Sequence, residues 1–129
     1  MFDFETRLMS DGIAVVSVKG SLNEEKRQYF FNCVGELFND GYSRIIIECD
    51  GLGFVSSSGL AGLIRARRHV RSRGGRIYLT HLNSTITEIL HITKLNKLFA
   101  IYPTTRELFG RLQSSAVKSA SRFSNMTGR

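Results

Sequence analysis

The segment 45–66, IIIECDGLGFVSSSGLAGLIRA, predicts a buried strand, a hydroxyl-rich turn and a helix in succession, and so constrains the fold strongly. The apolar run Ile45, Ile46 and Ile47 predicts a strand over residues 44–49 that is buried on both faces of a sheet. Glycines then predict a turn, and apolar spacing from Leu60 predicts a helix over residues 60–72. Three serines therefore lie where a strand passes into a helix, where backbone N–H groups are unpaired and negative charge is stabilised.

The rest of the chain alternates between strand and helix patterns. Residues 2–9 and 13–18 predict a hairpin around the Ser-Asp-Gly turn at 10–12, with Gly20 ending the second strand. Helix starts are predicted at Asn23, at Asn83 or Ser84, and at Thr104 or Thr105, and further strands at residues 76–81 and just before Pro103. The order β-β-α-β-α-β-α-β-α predicts an α/β fold, with a mixed β-sheet covered by about four helices.

The chain has 129 residues, which fits one domain, and we place that domain at residues 1–112. Beyond it the apolar pattern stops, and residues 113–129 are rich in serine, lysine, arginine and asparagine and contain no acid. This composition predicts a basic flexible tail. The formal net charge is +7, and all 11 acidic residues lie at or before Glu107, so the basicity belongs partly to that tail.

The sequence predicts the cellular location of the protein and the redox state of its two cysteines. It has no apolar run long enough to span a bilayer, and its acidic, alternating start lacks the pattern of a signal peptide. We therefore expect a cytoplasmic protein without a membrane span. In a reducing compartment the isolated Cys33 and Cys49 are expected to be buried thiols.

The residues that commonly carry catalysis do not form a recognisable constellation. His69, His81 and His91 have no metal-site spacing, and sequence order alone supports no Ser/His/Asp set. The segment Gly51-Leu52-Gly53 lacks both the P-loop lysine and the dinucleotide fingerprint, so we interpret it as a turn. We expect a protein that is not an enzyme and that needs no metal or cofactor.

A series of arginines runs along the predicted second helix and past its end: Arg65, Arg67, Arg68, Arg71, Arg73 and Arg76. Such a series could bind nucleic acid, but no aromatic residues are interleaved with it for base stacking. Helical spacing directs Arg65, Arg68 and Arg71 toward solvent and places Arg67 near the buried stripe. We expect a basic face suited to an acidic partner, and no nucleic-acid partner.

Four further segments occur in order along the chain: VSVKGSLN at 16–23, IIECDGLGFVSSSGL at 46–60, GGRIYL at 74–79 and LNKLFAIYP at 95–103. Together they resemble the STAS domain proteins, specifically the small free-standing anti-sigma factor antagonists of bacteria, over residues 4–108. The resemblance implies a STAS-type sandwich. Three positions depart from the family pattern, because Asn23 and Ser56 stand where acidic residues are usual and Lys94 stands where a glycine is usual.

The resemblance also implies a switch. The hydroxyl residue directly before the glycine, Ser58, would be phosphorylated by a partner anti-sigma factor serine kinase, with Ser57 and Ser56 as secondary candidates. In the family, the unphosphorylated protein binds the kinase, which then releases its sigma factor, and a serine phosphatase restores that state. Partner contacts are expected at Asn23, Ser56, Ser57, Ser58, Gly59, Leu60 and Arg65.

Other interpretations stay open from the sequence. The serines could serve only to cap a helix, as Ser, Thr, Asp and Asn commonly do. The chain could be a STAS subunit of a membrane-associated ABC transport complex, in which the same helix contacts an ATPase, or a STAS binding module that is not phosphorylated. A nucleotide-binding or weakly hydrolytic module is a further alternative.

Overall fold

The computed structural model describes residues 2–113 and shows a five-stranded sheet. Its strands are β1 (Phe2–Leu8), β2 (Ile13–Leu22), β3 (Arg44–Val55), β4 (Arg76–Thr80) and β5 (Ala100–Tyr102). They lie in that order across the sheet, with β1 antiparallel to β2 and all other neighbours parallel. The predicted mixed sheet is thus confirmed. The predicted tail, apart from Gln113, lies outside the described residues.

Helices connect the parallel strands. Along residues 2–113 they are α1 (Glu24–Asn39), α2 (Ser57–Arg71), α3 (Ser84–Ile92) and α4 (residues 105–113), with a 3-10 helix at Leu95–Lys97 before β5. Two predicted helix caps are confirmed, because the side-chain oxygens of Asn23 and Asn83 accept backbone N–H groups at 3.2 and 2.9 Å. The hydroxyl of Thr104 does the same for α4 at 3.1 Å.

The sheet is covered on both faces. On one face, Ile45 and Ile47 pack with the buried side chains of α1, α2 and α3. On the other face, Ile46 packs with Val15 of β2 and Leu108 of α4. Because successive side chains of a strand point to opposite faces, this arrangement confirms the prediction that the isoleucine run is buried on both sides.

β2 and β3 are longer than the sequence predicted, and the supposed turn at Gly51-Leu52-Gly53 is part of β3. Gly51 pairs with Lys19 and Leu52 pairs with Gly20, so residues expected to end the two strands extend the ladder between them. Register shifts around Lys19 and Gly20 indicate bulges. A Cβ at Gly51 would lie 2.8 Å from Lys19 Cγ, so glycine allows this close approach. Long-range pairing therefore overrides the local turn preference.

Lys94, which follows α3, has a left-handed backbone with φ of 63°. That region favours glycine, because the Cβ of any other residue crowds the following carbonyl oxygen. The lysine therefore keeps the backbone conformation that suits a glycine at this place, and it does so under local strain.

Candidate functional site

The serine turn, residues 56–58, is anchored to the end of β2. The backbone N–H of Ser56 donates a hydrogen bond to the carbonyl oxygen of Leu22 at 3.0 Å. β3 continues beyond the end of β4, and there the side-chain amide of Asn83 donates to the carbonyl oxygen of Leu52 at 2.7 Å. The end of β3, which leads into the serines, is thus fixed by a hydrogen bond to Leu22 of β2 and by another from Asn83, the N-cap of α3.

Ser56 is the N-cap of α2. Its Oγ accepts a hydrogen bond from the backbone N–H of Gly59 at 3.0 Å. Since this bond satisfies an orphan donor of the first turn, α2 begins at Ser57 and not at Leu60, where the sequence predicted it. The capping interpretation of the serines therefore applies to Ser56, where losing the hydroxyl would cost about 1 kcal/mol of stability.

Ser57 and Ser58 occupy the first turn of α2. Ser57 is exposed and Ser58 is half-buried. Neither hydroxyl has a hydrogen-bond partner within the part of the chain that the structure describes. The first turn carries no acidic side chain, and its free N–H groups and the positive end of the helix dipole favour negative charge. A phosphate could be held here without displacing another anion.

Gly59 determines how closely α2 approaches the sheet. A Cβ built on it would lie 2.1 Å from the carbonyl oxygen of Leu22 and 3.1 Å from Cγ1 of Val55. Because the closest atom belongs to the backbone, no rearrangement of a flexible side chain could relieve the contact. Glycine at this position thus allows the first turn of α2 to lie directly against the end of β2.

The structure brings most of the predicted partner residues together. Asn23 follows Leu22 directly and caps α1, so the starts of α1 and α2 share one end of the sheet. Gly59 is buried and Leu60 is half-buried against the main core. Through these two residues, the helix start that carries the serine turn packs against the core.

Arg65 lies apart from the other predicted partner residues. It is exposed on α2, about 10 Å from Ser58 along the helix axis. Its guanidinium stands 4.4 Å from the ring centre of Phe31, a residue of α1. This contact is of the cation–π type and holds Arg65 over the groove between the two helices.

One surface residue was missed by sequence reasoning. Phe54 is 51% exposed at the end of β3, two residues before Ser56. Its neighbour Val55 is buried, as expected from strand alternation. The alternation of buried and exposed residues could have predicted an exposed Phe54 only if β3 had been expected to continue through Gly51 and Gly53. Aromatic side chains are enriched at protein interfaces, so we treat Phe54 as a candidate partner contact.

Both cysteines are free and buried, as predicted. Burial raises the pKa of the Cys33 thiol to about 11 and that of Cys49 to about 12, so neither is a reactive thiolate near neutral pH. Across residues 2–113, histidine, cysteine and acidic side chains form no group that could hold a metal ion. The same part of the chain contains no helix with the length and apolar character needed to cross a membrane.

Comparison with known proteins assigns this fold to a family. The family model for the STAS domain matches residues 8–108. A Thermotoga neapolitana protein named as a candidate anti-sigma factor antagonist is 27% identical over 111 residues, which is 85% of this chain and 97% of that protein. The match to a protein of similar length extends over most of both sequences.

Two solved structures show the same fold. The crystal structure of a candidate anti-sigma factor antagonist from Thermotoga maritima has a TM-score of 0.77 at 22% identity, covering 85% of this chain and 94% of that one. The Bacillus cell fate determinant SpoIIAA, an anti-sigma factor antagonist, in its phosphorylated form has a TM-score of 0.67 at 19% identity, covering 85% and 99%.

Proposed function

Since the chain belongs to the STAS domain family, we propose that it is an anti-sigma factor antagonist controlled by phosphorylation of Ser58. Unphosphorylated protein binds an anti-sigma factor serine kinase and causes it to release its sigma factor. Phosphorylation ends the binding, and a serine phosphatase restores it. The exchange takes place in the cytoplasm, and the protein acts by binding and not by catalysis.

The observation that carries this proposal is the Ser58 hydroxyl, which is half-buried in the first turn of α2 and has no hydrogen-bond partner within residues 2–113. Ser56 is less suited to accept phosphate, because its Oγ already caps the helix. The curated relative named as a candidate antagonist supports the same role.

Charge explains how the switch would operate. A phosphate adds about −1.5 to −2 charges at neutral pH, and the first turn of α2 has no acidic side chain to begin with. The helix N-terminus stabilises the dianion within the folded protein. A kinase surface complementary to a neutral serine would instead meet a bulky dianion, and about 1.4 kcal/mol of lost binding free energy already lowers affinity tenfold.

A binding experiment tests the proposal. The wild-type protein is used to capture and identify its kinase, and purified kinase is then titrated with wild type, Ser58→Ala and Ser58→Asp. We expect Ser58→Ala to keep the wild-type affinity and Ser58→Asp to lose about tenfold or more.

The matched control is Ser57→Asp, which adds the same charge one residue away at an exposed position. We expect it to weaken binding less than Ser58→Asp does. Equal affinity of Ser58→Ala and Ser58→Asp would argue against a charge switch at this residue. Recovery of an ABC ATPase in place of a kinase would support the transport-complex alternative.

A further inference from the structure

A cleft lies near the other end of α2, about 14 to 20 Å along the helix axis from Ser58. Its cavity has a volume of about 350 Å³. Four basic side chains line it, Arg67, Arg71, Arg76 and Lys97, together with apolar residues that include Phe99. We call this cavity the arginine cleft. Because it shares no residue with the serine turn, its role is independent of the function proposed above.

Three elements bring the cations together. Arg67 and Arg71 are four residues apart on α2, and such residues lie on the same face of a helix. Arg76 is the first residue of β4, and Lys97 is the last residue of the 3-10 helix before β5. The cleft is therefore built by parts of the chain that are distant in sequence, and its charge does not arise from one basic run.

The positive charges of the cleft have no counter-ion within the described residues. Among residues 2–113, the ion pairs are those of Arg7 and His81 with Glu48, and none of these residues belongs to the cleft. No acidic side chain lines the cleft. Burial, followed by the charges of Arg71 and Arg76, lowers the pKa of Arg67. The cations therefore repel one another, and a bound anion would relieve that repulsion.

Arg67 is also held in position. It is half-buried, and its guanidinium carbon lies 6.0 Å from the ring centre of Phe99, a buried residue. The aromatic ring forms part of the wall and lowers the local dielectric constant, which strengthens the attraction of an anion. Guanidinium groups in this setting match phosphate geometry through paired N–H donors.

We propose that the arginine cleft binds a small anion with two or more linked phosphate groups. The cavity volume falls at the lower end of the range for small-molecule sites, about 300 to 1,000 Å³. A nucleic-acid site would need an extended basic track with exposed rings for base stacking, whereas Phe99 is buried and the four cations surround one recess. Three arginines and one lysine around one recess can neutralise a compact polyvalent anion.

The alternative explanation of the four cations is a basic surface that faces solvent and binds no specific ligand. Arg71 is exposed in the last turn of α2, where a positive charge also stabilises the helix dipole. A solvated face would attract anions weakly and in proportion to net charge, and Arg65 and Arg68 would contribute as much as the cleft residues. The two explanations therefore predict different results for variants with equal loss of charge.

The test uses pyrophosphate as the probe and the full chain at low salt. Calorimetric titration should show saturable binding of one pyrophosphate, and backbone amide shifts in NMR spectra should cluster around the cleft and not at the serine turn. The variant Arg67→Gln/Arg76→Gln should lose affinity by about tenfold or more, because the loss of even one of the two charge-assisted contacts is worth about that factor.

Two further variants complete the test. Arg71→Gln/Lys97→Gln, which changes only exposed side chains, should lose affinity to a similar extent. Its melting temperature should fall only slightly, because the interaction of Arg71 with the helix dipole is worth at most about 1 kcal/mol. The matched control Arg65→Gln/Arg68→Gln removes the same amount of charge from residues of α2 outside the cleft and should change affinity by less than about twofold. Absence of saturable binding, equal losses in cleft and control variants, or a preference for a DNA oligonucleotide over pyrophosphate would overturn the proposal.

Discussion

At the scale of single residues, the carbonyl oxygen of Leu22 lies so close to Gly59 that no side chain fits there. In Gly59→Ala the new methyl group would meet the carbonyl oxygen of Leu22, at 2.1 Å in the present geometry. Overpacking of this kind typically costs about 1–3 kcal/mol, so we expect the free energy of unfolding to fall by that amount. Urea unfolding monitored by circular dichroism measures it.

Gly35 provides the matched control for this substitution. It lies inside α1, and a Cβ there would have no atom within 4 Å. Gly35→Ala should therefore stabilise the protein by about 0.5–1 kcal/mol through helix propensity alone. If both variants shifted stability in the same direction, the contact between Gly59 and Leu22 would not be the cause.

Lys94 supplies the opposite kind of test. Its φ of 63° is costly for a residue with a Cβ, so Lys94→Gly should raise the free energy of unfolding by up to about 1 kcal/mol. Lys97→Gly is the control, because Lys97 lies in the 3-10 helix and has no positive φ. It should be neutral or destabilising in the same urea experiment, and a gain in stability there would contradict the explanation from strain.

The sequence identified the serine turn but could not divide the roles within it. Ser56, Ser57 and Ser58 all have hydroxyls before an apolar helical pattern, so each could have been the cap. The length of β3 decides the matter, because pairing up to Val55 makes Ser56 the next residue and hence the N-cap. That pairing is a long-range property, which local propensity does not contain.

At the scale of elements, a polar cluster connects α4 with the sheet. Glu48 of β3 accepts a hydrogen bond from Ser17 at 2.5 Å and pairs with Arg7 at 3.1 Å. Burial acts to raise the pKa of Glu48, but hydrogen bonds from Ser17, Thr105 and Arg7 outweigh it and hold that pKa below its ordinary value. Thr105 of α4 also shares a hydrogen bond with Thr80 of β4 at 2.8 Å, and this bond fastens the helix to the sheet.

The lowered pKa of Glu48 predicts a dependence of stability on pH. The folded state binds this proton less readily than the unfolded state, so the contribution is present above the ordinary pKa of 4.5. It is lost as the pH falls through the lower pKa of the folded state. We expect Glu48→Gln to lower stability at neutral pH and to flatten its decline in the acid range, as measured by urea unfolding at several pH values.

The exposed Glu88 is a control for the loss of one carboxylate. Glu88→Gln should leave stability at neutral pH nearly unchanged, since no described ion pair involves it. An acid-range decline in Glu48→Gln as steep as that of wild type would show that Glu48 is not the titrating group responsible.

The prediction of elements succeeded where patterns were local and failed where they were not. The hairpin, the buried isoleucine strand and the caps at Asn23 and Asn83 followed from turn residues, alternation and capping preference. The glycines at 20, 51 and 53 indicated strand ends, yet β2 and β3 continue through them because each strand pairs with the other. Phe54 was missed for the same reason.

At the scale of the whole molecule, one proposed site lies at each end of α2. Its start carries the serine turn without acidic side chains, and its last turns contribute to the arginine cleft. The two sites can therefore be altered separately. The division of the chain at residue 112 and the flexibility of its tail stay predictions.

The partner surface at the first of these ends should include Phe54. Because its side chain is 51% exposed, Phe54→Ala should leave the unfolding free energy almost unchanged. It should weaken binding of the purified kinase by about tenfold, as expected for an aromatic side chain at the centre of an interface.

Ile92 is the control for loss of an exposed apolar side chain. It is 70% exposed on α3, and Ile92→Ala should keep the affinity of wild type for the kinase. A loss of affinity in Ile92→Ala that equals the loss in Phe54→Ala would move the partner surface away from the serine turn.

The central claim is that Ser58 accepts a phosphate, and phosphopeptide mass spectrometry tests it most directly. The native protein is isolated from cells at several growth stages, and a second sample is incubated with the captured kinase and ATP. We expect phosphate on Ser58, with none on Ser56, and no phosphate on the turn in the Ser58→Ala variant. Absence of phosphate from Ser56, Ser57 and Ser58 in every sample, or phosphate only on Ser56 or Ser57, would contradict the account.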